Sequence, residues 1–210
     1  MKLAILTSPN QWFCDFTERF SIELGGAHIF ENHNDISEPY DVVFILSYHR
    51  IVGNSFLSKN KHNIVIHASD LPLGKGWAPL FWQVLEGSSK ITFSMFEATE
   101  GVDDGPIYMQ QELILNGLEL NNELRVKQAE IQMKMCKAFV DNYSIYNEPR
   151  RQIGNETFYS KRNASDSELD INKTIREQFN LLRIVDNEEY PAFFRIDGKK
   201  FVIKIYSENS

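Results

Sequence analysis

The chain predicts an α/β fold with a mostly parallel sheet, followed by a small C-terminal β-hairpin extension. Three observations point there. Over most of the 210 residues, short apolar runs alternate with stretches whose apolar residues recur at helical spacing. Three of the runs lead into polar or unusual segments, "TSPNQW", "SYHRIV" and "HASDLP". Open α/β sheets bind ligands at such carboxyl ends of strands. After about residue 150 the sequence turns polar and turn-rich before a closing hairpin pattern. The expected organisation is a catalytic domain over residues 1–152 and an extension over 153–210.

The elements follow in order. Residues 3–6 suit a buried strand. Ser8 stands as a helix N-cap with Pro9 at the first helical position. Trp12, Phe16, Phe20 and Leu24 then recur every four residues, and Gly25 and Gly26 stop the helix. Residues 27–30, 41–47 and 63–66 read as further strands, and 79–86 as a helix opened by a proline and closed before Gly87. Residues 90–98 alternate as a half-buried strand does, with 106–115 as its neighbour across "TEGVDDG". A long amphipathic helix covers 121–143, with Leu124, Ile131, Met135 and Phe139 along one side. In the tail, "TFYSK" is strand-like, 171–182 is helical, and 192–206 is a hairpin turning at Asp197-Gly198.

Composition removes several classes of function. An apolar fraction of 42% describes a folded protein. No run reaches membrane-spanning length, and the apolar stretch in "MKLAILTSPN" is too short for a signal peptide. Cys14 and Cys136 match neither a disulfide framework nor a CxxC metal motif. The expectation is a cytoplasmic protein without membrane or metal. A net charge of −7 argues against nucleic acid as the main partner. Neither GxGxxG, GxxxxGK[ST] nor GxSxG occurs, so nicotinamide, P-loop and serine-hydrolase chemistries have no support. His28 and His33 in "HIFENHND" belong to a solvated connection.

His67 differs from them. It stands at the carboxyl end of a strand, where an imidazole reaches a crevice and titrates near neutral pH. Taken alone it could equally anchor a turn. Asp103 and Asp104 lie in a Gly-bracketed turn between strands, and one of them could orient the ring and stabilise its charged form.

"IHASDLPLGKGWAPLFWQVLEG", followed 36 residues after His67 by Asp103 in "DDGPI", resembles the folate-dependent formyltransferases. "SYHRIV" resembles the segment with which that family holds the pterin ring. The resemblance covers roughly residues 1–115 and implies a Rossmann-like domain that uses N10-formyltetrahydrofolate as co-substrate. It implies His67 and Asp103 as catalytic residues. Tyr48, His49, Arg50, Ile51, Val52 and Asp103 become the folate contacts. One position departs: the family has asparagine two residues before the histidine, and here it is Val65. Asn63, one strand repeat further back, lies roughly 6–7 Å too far away to serve.

The tail, "TFYSKRNASDSELDINKTIREQFNLLRIVDNEEYPAFF", resembles the segment after the catalytic domain in the tRNA and nucleotide-sugar members. "SPNQW" stands where the purine-pathway enzyme has a glycine-rich phosphate loop, and the chain shows no basic C-terminal barrel of the tRNA enzyme. The resemblance therefore implies a nucleotide-linked amino sugar as partner. The lysine-glycine-tryptophan loop and Val65 direct this towards a UDP-linked 4-amino-4,6-dideoxy sugar of a surface-polysaccharide or nonulosonic acid pathway. Ser8, Asn10, Trp12, Lys75, Gly76, Trp77, Arg183 and Tyr190 are the expected substrate contacts, with Lys75 on the pyrophosphate. Trp12 also starts the apolar face of the first helix, which makes a core role the stronger alternative. A homodimer is expected from the hairpin edge. The rivals are a formyltransferase for another amine (a dTDP-amino sugar, a purine intermediate or methionyl-tRNA) and a non-catalytic folate- or nucleotide-binding homologue.

Overall fold

The computed structural model describes residues 1–208. Its strands are β1 (Leu3–Leu6), β2 (His28–Phe30), β3 (Val42–Ile45), β4 (His62–His67), β5 (Lys75–Gly76), β6 (Lys90–Glu97), β7 (Ile107–Ile114), β8 (Phe158–Tyr159), β9 (Ala192–Ile196) and β10 (Lys199–Ile203). Its helices are α1 (Cys14–Glu23), α2 (Asn54–Leu57), α3 (Pro79–Leu85), α4 (Asn121–Asp141), α5 (Tyr143–Tyr146) and α6 (Phe179–Ile184). Six strands form the main sheet in the order β2-β1-β3-β4-β6-β7. The first four run parallel, and β6 and β7 are antiparallel additions.

The all-apolar central runs follow from burial on both faces. Ile5, Phe44, Ile64 and Ile66 face a core completed by Phe20, Leu80, Met135 and Phe139 from α1, α3 and α4. Ala4, Leu6, Val43 and Ile45 face a second core with Ile36, Tyr40 and Phe56. No helix is long and apolar enough to cross a membrane among the described residues.

Two helices begin later than their sequence pattern predicts. Ser8 caps nothing; its hydroxyl accepts from the His49 amide at 2.9 Å. Asn10 takes a left-handed φ of 59°, and residues 9–13 form turns, so α1 starts at Cys14. Gly25 and Gly26 do end it, with amides bonded to Ile22 O and Ser21 O. In the tail, the helix expected over 171–182 forms only from Phe179. Before it, Gln178, Asp170 and Glu177 side chains accept from the amides of Asp170, Asn172 and Thr174, which competes with helical bonding. The hairpin β9–β10 forms in the register expected, with Asp197 and Gly198 at φ 49° and 79°.

The segment on either side of residue 152 is bound across the sheet's carboxyl end. Arg150 exchanges backbone bonds with Ile107, and β8 pairs in parallel with β5. This strap holds both loops beside His67.

Candidate active site

An open cavity of about 420 Å³ lies at the carboxyl ends of β3 and β4. One wall comes from Tyr48 to Val52 and the β6–β7 turn; the other comes from Trp12, the loop at Gly76 and Trp77, and one face of α4. His67, the last residue of β4, lies between them and is 8% exposed. Its Nε2 bonds the Gly74 carbonyl at 2.8 Å and stands 3.6 Å from Asp103 Oδ2. Both partners only accept, so Nε2 carries the hydrogen. Nδ1 has no hydrogen-bond partner among the described residues.

Asp103 is fixed by its loop. It adopts φ 48°, and its Oδ2 accepts from the Gly76 amide at 2.8 Å. Gln152, on the strap, donates to the Asp103 and Gly105 carbonyls at 2.9 and 2.8 Å. Two glycines are obligatory here. A Cβ at Gly105 would collide with the Glu97 carbonyl oxygen, and one at Gly76 would stand 2.5 Å from Tyr159 O. Gly76 also needs its φ of 93°. The Gly-Lys-Gly loop is thus a fitted strand partner for β8.

The expected folate residues Tyr48, His49, Arg50, Ile51 and Val52 all line the cavity. His33 Nδ1 holds the Tyr48 hydroxyl at 2.7 Å. His49 packs edge-on to Trp77 at 5.7 Å, and burial, followed by the charges of Lys161 and Arg125, lowers its pKa. Among the expected substrate residues, Trp12, Gly76 and Trp77 line the same cavity.

The remaining five stand off its wall. Ser8 and Asn10 are spent in the turn before α1. Lys75 is 1% exposed, and its Nζ meets Glu156 at 2.7 Å and Asp104 at 3.0 Å. Those carboxylates are themselves about half-exposed and close over the ammonium, so this lysine is neutralised inside the protein. Arg183 is 3% exposed, bound to the Glu119 carboxylate at 3.2 Å and its carbonyl at 3.1 Å. It fastens α6 to the loop before α4. Tyr190 sits in a turn, its carbonyl accepting from Ser167 Oγ at 3.1 Å.

Val65 lines the cavity on the strand face of His67 and offers no donor. Asn63 is engaged elsewhere: its amide donates to Leu57 O at 2.9 Å and its oxygen accepts from Asn60 at 3.0 Å. The polar groups that sequence reasoning missed are on α4. Arg125, Gln128 and Gln132 line the cavity. Arg125 lies 4.6 Å from the Trp12 ring and 4.2 Å from the Phe81 ring. Gln132 is 3% exposed; its Nε2 makes one long bond of 3.5 Å to Ile66 O, and its Oε1 has no partner. Positions 125, 128 and 132 are spaced i, i+3, i+7 and so share one side of α4, but the sequence does not mark that side off from the helix's other polar positions.

Residues 31–138 match the family model described as Formyl transferase. Methionyl-tRNA formyltransferase of Thermosipho melanesiensis is 33% identical over 167 residues, covering 79% of this chain and 53% of that protein. The chain spans about half the length of the curated relatives it matches. Among solved structures, methionyl-tRNA formyltransferase from Clostridium thermocellum superposes with a TM-score of 0.82 at 19% identity, covering 100% of this chain and 94% of that one. A sugar N-formyltransferase from a Shewanella species gives 0.68 at 18% identity, covering 100% and 99%. The chain belongs to the formyl transferase family.

Proposed function

We propose that the protein is an N-formyltransferase that moves the formyl group of N10-formyltetrahydrofolate to the amine of a nucleotide-linked 4-amino-4,6-dideoxy sugar. The observation that carries this is His67, held by Gly74 and set 3.6 Å from Asp103 in the floor of a two-walled cavity, in a chain of this family. Folate lies against Tyr48 to Val52 and the sugar nucleotide against the wall of Trp12 and Trp77. The neutral amine attacks the formyl carbon, negative charge builds on the formyl oxygen, and the C–N10 bond breaks as tetrahydrofolate leaves. With Nε2 directed at Gly74 and Asp103, Nδ1 of His67 is the nitrogen that takes the amine proton or, once protonated, donates to the oxygen. Asp103, 3.6 Å from Nε2, is the carboxylate that faces the ring through this step. Gln132 is the buried amide that borders the cavity where Val65 supplies none.

The sugar acceptor is supported by the acidic chain and by the aromatic and cationic second wall. A methionyl-tRNA acceptor is the second reading, favoured by the 33% identity to the Thermosipho enzyme. The deciding experiment supplies N10-formyltetrahydrofolate with a panel of UDP-, dTDP- and GDP-linked 4-amino sugars and, separately, methionyl-tRNA, with products read by mass spectrometry. A formylated UDP-linked sugar is the expected product. Formylation of the tRNA alone replaces the sugar with the second reading, and formylation of nothing while folate binds removes the enzyme.

A further inference from the structure

Arg125, half-buried on α4, is an uncompensated cation of the cavity; Arg50, exposed on the opposite wall, also lines it without a carboxylate partner among the described residues. Among the described residues no carboxylate lies within 4.0 Å of Arg125, and its one side-chain hydrogen bond goes to Gln128 at 3.2 Å. A guanidinium has five donors, so most of its capacity is unspent. The fully buried cations Lys75 and Arg183 each have a carboxylate at 3.2 Å or less, and half-buried Arg162 on the strap is spent on the Asp166 carbonyl at 3.2 Å. Arg125 instead lies between two aromatic rings, which position its plane without neutralising it. Burial lowers its pKa to about 9, with Asp186 and Glu189 acting in the opposite direction from the turn after α6. A charge so placed costs free energy until an anion joins it.

A second cation stands nearby. Lys161, exposed on the strap, places its Nζ 4.8 Å over the Trp77 ring and has no carboxylate partner among the described residues. Both cations act on His49, which ties them to one region of the cavity. His49 belongs to the expected pterin wall, so the region meets that wall at its edge and extends away from it. Trp12 and Phe81 belong to the core on the α1, α3 and α4 side of the sheet, whereas Tyr48, Val52, Val65 and Ala98 pack on the other side.

Resting on the sugar-nucleotide reading above, we infer that Arg125, assisted by Lys161, is the subsite for the diphosphate of the acceptor. A planar fork fits two phosphate oxygens at once, and the flanking indoles of Trp12 and Trp77 offer apolar faces on either side. The role first expected of Lys75 falls instead to a residue on α4.

The test measures binding of inorganic pyrophosphate and of UDP to the full chain by calorimetry, with tetrahydrofolate as control. Wild type binds UDP and pyrophosphate, Arg125→Gln weakens both at least tenfold, and Lys161→Gln weakens both about threefold. Tetrahydrofolate binds all three proteins alike, and thermal melts check folding. Should Arg125→Gln fail to fold, Arg125→Lys and the exposed Lys161→Gln carry the same comparison. The inference is overturned if wild type binds neither ligand, if the variants bind as wild type does, or if tetrahydrofolate displaces UDP competitively. Arg125-dependent UDP binding with no amino sugar formylated would leave the subsite standing and remove the proposed reaction. Formylation with an unchanged KM in Arg125→Gln would do the reverse.

Discussion

Strand β4 begins and ends in histidine, and each faces a carboxylate at nearly the same distance. His62 Nδ1 lies 3.7 Å from Glu97, and His67 Nε2 lies 3.6 Å from Asp103. At the amino end every group is occupied. His62 bonds the hydroxyls of Tyr108 at 2.8 Å and Tyr143 at 2.6 Å, Tyr108 donates to Glu97, and Phe139 packs against the ring. Burial pushes the His62 pKa down and those of Glu97 and Tyr108 up, so burial disfavours charge on each of the three. At the carboxyl end one ring nitrogen is held and the other is unpartnered beside a cavity. The same pair of residue types is a structural clasp where its valences are filled and, in the proposed reaction, a reagent where one is left open.

Breaking the open pair has the largest expected effect. His67→Asn lowers kcat about a hundred- to a thousand-fold, the usual cost of losing a group that stabilises a developing oxyanion. Its melting temperature falls by only about 2–4 °C, because the ring contributes one carbonyl bond and the approach to Asp103. Asp103→Asn follows, with a loss of roughly a hundredfold; the Gly76 bond can persist, so steady-state kinetics reads the missing charge. His62→Ala inverts the pattern. It takes the histidine partner from Tyr143 and one of the two partners from Tyr108, and lowers unfolding stability by about 2 kcal/mol, measured by urea titration, while kcat below the melting transition stays within about threefold.

The smallest effect is a slope. His62 has a folded pKa below its unfolded value, so below about pH 6.5 the unfolded chain binds more protons at this site. Its contribution is therefore intact above that pH and lost as pH falls through it. Thermal melts between pH 7 and pH 5.5 should show a shallower decline in His62→Ala than in wild type. His49, lowered in the same direction, keeps part of the slope in both proteins.

The sheet was legible because its strands are buried on both faces and interrupted by polar loops at one end. His67 and Asp103 were legible because a motif of fixed spacing carries them. Other residues misled for physical reasons. Lys75 sits in a Gly-Lys-Gly loop that reads as a phosphate cradle, yet one of its partners, Glu156, comes from a strap 81 residues away. Arg183 resembles a free tail arginine until Glu119 closes on it across 64 residues. Ser8 has the sequence of a helix cap, but the left-handed turn at Asn10 postpones the helix. Arg125 was hidden in an amphipathic pattern that marks which side is apolar and is silent on which polar residue meets a cavity.

The account rests on the two ends of β4 having different tasks, and one ratio tests it: kcat of His67→Asn against kcat of His62→Ala, with N10-formyltetrahydrofolate and the accepted amine, at a temperature where both are folded. A ratio near 1:100 or smaller is predicted. Equal turnover in the two variants, whether both active or both dead, would contradict it.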